Sequence, residues 1–143
     1  MKLSKLFMFS LICLLFLNTQ CEDENTFTEM SCGLEIEIDT TAYEDAESQT
    51  IDEAIIDGDC VIITILSSGC DSANWVMTLI DSEAVAESLP PQRYLKLSLF
   101  NNEVCLAFLS KQEYFDLTPL RVEGLNEVLL NIEGLAEPLL YSY

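Results

Sequence analysis

Twenty-five carboxylates and not one histidine set the chemistry this chain can offer. Without an imidazole there is no Ser-His-Asp or Cys-His nucleophile. Carboxylates can hold a hard cation through oxygen ligands, or act as an acid–base pair on a glycosidic bond. Asp52, Glu53, Asp57 and Asp59 fall around one loop and are the residues that would carry calcium, although Asp57-Gly58-Asp59 lacks the full loop and closing Glu of an EF-hand. Glu35, Glu37 and Asp39 alternate and read as the wet face of a strand. With so many acids, a pair at hydrolase spacing arises by chance, so a carboxylate-based glycoside hydrolase stays an alternative and the reading is a non-enzyme. Trp75, the single tryptophan, could stack on a sugar ring if its strand is exposed; packed inside a sandwich it is core.

Sulfur is the other reactive element. Cys32, Cys60, Cys70 and Cys105 include no CxxC pair, and no histidine could complete a zinc site, so four cysteines in an exported chain read as a disulfide framework. Export itself is read from the first residues. Lys2 and Lys5 precede an apolar run, Leu6 to Leu17, that is shorter than the roughly 20 residues a bilayer span needs. Asn18-Thr19-Gln20 offers no ordinary cleavage pattern, and Cys21 is followed at once by Glu22-Asp23-Glu24.

With Leu17 and Cys21 in the outer lipobox places, this stretch resembles the signal of a Bacteroidetes-type surface lipoprotein. The resemblance implies a signal peptide over 1–20 and a lipid on Cys21. It also implies an acidic tether over 21–31, and export to the outer face of the outer membrane. Asp59-Cys60-Val61-Ile62-Ile63-Thr64-Ile65, Pro91-Gln92-Arg93 and Phe115-Asp116-Leu117-Thr118-Pro119-Leu120 are similar to small uncharacterised lipoproteins of the same group, a likeness that brings no activity with it.

Removing the first twenty residues leaves four basic residues against 25 acids, a net charge of −21. Such a field repels nucleic acid and acidic polysaccharides and favours basic proteins and divalent cations. The expected partners are the membrane, through the N-terminal lipid, and a basic protein or surface complex. No cofactor is called for beyond calcium, and any glycan is unspecified. The function that fits is a non-catalytic binding or scaffolding module; a calcium-dependent adhesion or glycan-binding module is the alternative.

The remaining residues, 32–143, must supply the frame. Leu34 to Asp39 alternates as a half-buried strand, Thr40 to Gln49 reads as a loop, and Thr50 to Ile56 is a short strand or helical turn. Cys60 to Leu66 is β-branched and apolar on both faces, as a central strand covered on both sides would be. Asn74 to Ile80 is a strand, and Asp81 to Pro91 a connection. Tyr94 to Phe100 alternates, turns at Asn101-Asn102, and returns as Val104 to Leu109 in a hairpin. Phe115 to Thr118 is a further strand, and 127–132 with 138–143 forms a C-terminal hairpin.

The fold class is therefore all-β: a disulfide-stapled two-sheet β-sandwich, with an immunoglobulin-like Greek key as one form of it. If strands 34–38, 60–66 and 94–100 run the same way, Cys70 meets Cys105 at one end and Cys32 meets Cys60 at the other.

Overall fold

The computed structural model describes residues 32–143. The signal over 1–20, the lipidation at Cys21 and the tether over 21–31 lie outside the described residues. The chain is nearly all β: β1 (Glu37–Ile38), α1 (Thr40–Asp45), β2 (Ile51–Asp57), β3 (Cys60–Gly69), β4 (Val76–Ala86), β5 (Gln92–Phe100), β6 (Ala107–Asp116), β7 (Glu127–Ile132) and β8 (Leu139–Ser142), with one 3-10 turn at Thr118–Leu120. Two sheets form the sandwich, one ordered β1-β4-β5-β7-β8 and the other β2-β3-β6. The larger sheet is mixed, since β1 pairs parallel with β4 and β5 parallel with β7.

Period-2 patterning builds the core. Val61, Ile63 and Ile65 of β3 face Met77 and Leu79 of β4 and Leu95 and Leu97 of β5 across the gap, with Phe115, Val128, Leu130 and Tyr141 closing it. Each fully buried aliphatic side chain contributes about 1.5–3 kcal/mol. β3 is central in its sheet as its composition predicts. Its outer face, however, has no second layer among the described residues: Ile62 and Thr64 are half-buried and Leu66 is exposed. Ile55, Ile62 and Tyr114 lie in register across β2, β3 and β6 on that open face.

Several expectations are corrected by tertiary contacts. Thr40–Asp45 is a short helix, not a loop. Asp39 caps it by accepting from the Ala42 N–H at 2.7 Å, and the Lys96 ammonium donates to the Tyr43 carbonyl near its end at 2.9 Å. The strand expected over 34–39 contracts to two residues, with Leu34 making an isolated bridge to Phe115. β4 continues through the stretch expected as a connection, bulging between Asp81 and Val85.

The hairpin between 94–100 and 104–109 does not form. β5 belongs to one sheet and β6 to the other, so 101–106 is a crossing between them. Three ties draw it to the end of β3: the Asn101 amide donates to the Ser68 carbonyl at 2.8 Å, the Glu103 carboxylate accepts from the Cys70 N–H at 2.5 Å, and Cys105 bonds Cys70. The C-terminal hairpin of β7 and β8 stands as read.

Both cysteine pairs form, Cys32–Cys60 and Cys70–Cys105. The strand directions that suggested them need one change. Leu34 runs parallel to β6 and therefore antiparallel to β3, and Cys32 still reaches Cys60 because Leu34 sits beside Phe115, whose partner on β3 is Val61.

Candidate interaction surface

The proposed calcium ligands are not brought together. Asp52 and Glu53 stand at the start of β2 and Asp57 at its end, several residues of extended chain apart, and Asp59 is committed elsewhere. Among the described residues no group of three or more acids or cysteines stands where it could hold a metal ion. Trp75 is 2% exposed and lies in the core, so its ring has no face for a sugar.

Asp59 closes a charged knot where the two sheets meet. One of its oxygens accepts from the Tyr141 hydroxyl at 2.6 Å and from the Arg121 guanidinium at 2.6 Å, while Arg121 also donates to that hydroxyl at 3.0 Å. The Tyr141 hydrogen bond, and then Arg121, hold the Asp59 carboxyl below its ordinary range. Burial first, and the bond to Asp59 second, push the Tyr141 phenol up to about 12. The Tyr141 ring also lies 4.9 Å from that of Tyr143. The polar role of Tyr141 was hidden, because Asp59 is distant in sequence.

Glu103 makes a second fixed carboxylate. Burial opposes its ionisation, but the N–H groups of Cys70, Asp71 and Ser72 converge on one oxygen and hold the carboxyl below its usual range. The indole Nε1 of Trp75 lies on the same side without a well-formed hydrogen bond, and its dipole adds to that pull.

Asp59 and Glu103 are both easier to ionise folded than unfolded. Each therefore adds stability above the ordinary carboxylate pKa of about 4 and loses it as pH falls through the lower, folded value. Melting temperature should drop as pH falls below about 4, and Asp59→Asn with Glu103→Gln should flatten that drop. Tyr141 predicts a further loss at the alkaline end, as pH rises from about 10 toward the folded value. Near-ultraviolet circular dichroism against pH would check both limbs.

The cations tell a further story. Arg93, Lys96, Lys111 and Arg121 are the basic residues of the described region, and each is paired inside the fold: to Asp81, Glu133, Glu113 and Asp59 respectively. Every cation of the described region is thus engaged by a carboxylate of the fold, and the acids outnumber them.

One region breaks this acid cover. At the end of the sandwich where β5 crosses to β6, Val104 is 91% exposed, Leu106 88% and Phe108 81%, with Phe100, Val76 and Leu66 also open. Val76 and Phe100 are cross-strand partners on β4 and β5, while Phe108 opposes Ser68 and lies diagonal to Leu66 on the outer face of the smaller sheet. Around them stand Thr64, Ser68, Ser110 and Gln112, all uncharged. Exposed aromatic and aliphatic side chains with charge depleted at the centre are the makeup of a protein contact surface. A sign of it is legible in the residues: Val104 to Leu109 is apolar on both faces, more than a one-sided strand needs.

A separate open apolar hollow of about 570 Å³ lies between Val85–Pro91 and the segment holding Val122 and Leu125, beside the exposed Leu89.

No protein-family model matches the chain, and no curated protein matches it. Among solved structures it is similar to a protein of unknown function, DUF1344, from Bacteroides vulgatus, at 13% identity and a TM-score of 0.49, covering 76% of this chain and 54% of that one. It is also similar to a protein described as toxin-related from Parabacteroides distasonis, at 12% identity and a TM-score of 0.47, covering 78% of this chain and 60% of that one. The chain thus spans little more than half the length of these structures, and neither likeness assigns a role to any of its residues.

Proposed function

We propose that this chain is a lipid-anchored surface protein acting as a non-catalytic binding module, and that it grips a protein partner by the apolar end of the sandwich. The observation that carries this reading is the clustered exposure of Val104, Leu106 and Phe108 in a strongly acidic domain. Burying three such side chains against a partner is worth several kcal/mol before the costs of association, on the order of 1.5–3 kcal/mol each. The acidic surround raises the encounter rate with a basic partner and turns away polyanions. The anchor places that module at a membrane: lipid on Cys21 supplies stable attachment when more than one acyl chain is present.

Two measurements test the two halves. Cys21→Ser should release the protein from the membrane fraction; retention there would remove the anchor. A photo-crosslinking residue at position 106, in intact cells, should give a discrete protein adduct that the same residue at position 89 does not. Changing Val104, Leu106 and Phe108 to serine should leave stability within about 0.5 kcal/mol, since exposed side chains contribute little to folding. That triple variant should abolish an adduct formed from a crosslinker at position 66; a persistent adduct would sink the reading.

A further inference from the structure

Sheet edges are where one chain can add to another, and folded proteins blunt them. Three of the four edges here are blunted. β1 is two residues long and runs into α1, and β8 has four residues. β2 carries Asp52, Glu53 and Asp57 along its length. The fourth, β6, has ten residues, and between Ala107 and Gln112 its only charge is Lys111, whose ammonium turns inward to the Trp75 carbonyl at 2.5 Å.

The direction of its backbone groups follows from one contact. Leu34 donates to the Tyr114 carbonyl and accepts from the Asp116 N–H, so Tyr114 and Asp116 turn their backbone groups away from β3. Alternation then turns those of Phe108, Ser110 and Gln112 the same way, and β6 has no strand neighbour there among the described residues. The side chains of these three residues lie on the open outer face, beside Leu66.

We infer that the edge of β6 over Phe108–Gln112 takes an extended segment of a partner polypeptide as an added strand, one that alternates apolar and basic residues. This rests on the binding-module reading and specifies how the partner is held. Apolar side chains of the added strand would extend the outer face next to Phe108 and Leu66. The basic character follows from charge: no cation of the described region is left unpaired, so a basic strand meets no like charge and an acidic one meets a net negative domain. The same charge argues against a second copy as occupant, because two such domains repel. In strand addition, main-chain hydrogen bonds supply affinity and alternate side chains supply selectivity.

The probe is a capped octapeptide alternating valine and lysine, titrated by calorimetry into residues 21–143 carrying Cys21→Ser, which include the whole described fold. It should bind, and the same peptide with N-methyl groups on the amides of one edge should bind about tenfold or more weakly, as should a valine–glutamate version. Ser110→Pro removes an N–H that faces away from β3, so the ladder to β3 survives while peptide affinity drops by a similar factor, about tenfold. Should Ser110→Pro fail to fold, the N-methylated peptide still decides.

Equal binding of plain and N-methylated peptides overturns strand addition. A persistent adduct from position 106 in cells would then leave the apolar-end reading standing, whereas loss of that adduct removes both. A dimer seen by sedimentation and abolished by Ser110→Pro would make a second copy the occupant and overturn the inference. Peptide binding seen only after residues 21–31 are removed would overturn it in favour of the chain's own tether.

Discussion

Arg93→Met should cost about 3–5 kcal/mol of stability, a large share of the 5–15 kcal/mol typical of a domain this size. Asp81 is completely buried in β4, and its Oδ1 accepts from the Arg93 guanidinium at 2.7 Å and from the Glu83 N–H at 2.8 Å. The second oxygen has no partner, so the carboxylate already sits short of full satisfaction. Methionine keeps the bulk of the arginine stem and removes the cation that faces the buried charge. What remains is an uncompensated carboxylate inside the sheet, and that, more than the lost attraction, sets the size of the effect. The double change Arg93→Met with Asp81→Leu should recover most of the loss, since a buried ion pair contributes little over apolar residues of similar volume. Urea denaturation of the parent and the two variants would check it. A single variant within about 1 kcal/mol of the parent would show that water reaches Asp81.

Removing the Cys70–Cys105 bridge, by serine at both positions, should cost about 3–4 kcal/mol, given a closed loop of 35 residues. The cost is mainly freedom returned to the unfolded chain. A local consequence sets this bridge apart from Cys32–Cys60. It fixes the crossing from β5 to β6, with the Asn101 amide and the Glu103 carboxylate as the other ties. The serine variant should therefore raise amide exchange over 101–108 well before the rest of the domain opens, and weaken contact through Leu106 and Phe108. Serine at Cys32 and Cys60 should cost a similar amount while leaving exchange over 101–108 unchanged. If both variants loosen the crossing equally, the bridge has no special role in presenting the apolar end.

Strand identity was largely legible in the residues. Val61, Ile63 and Ile65, or Leu95 and Leu97, are buried because alternate side chains leave a pleated strand on opposite faces, a rule that holds wherever the strand sits. The C-terminal hairpin was legible for the same reason, its two strands being joined by a Gly turn. The helix at Thr40–Asp45 was not, because it buries none of its residues and so has no apolar stripe. Its cap, Asp39, is local and could have been noticed, but the lysine that meets its last turn lies 53 residues away. The calcium loop failed for a related reason: nearness in sequence is not nearness in space when an extended strand lies between.

The chain alone settled what depends on neighbours one and two residues apart, and on totals: a β protein, a strongly negative surface, no imidazole chemistry, and four cysteines suited to two bridges. Which sheet each strand joins was decided by contacts between residues far apart in sequence. The crossing after Phe100, the pairing of all four cations and the bare edge of β6 follow from that choice. A strand's own residues state which faces are apolar, whereas the partner it meets depends on the free energy of packing the whole sandwich.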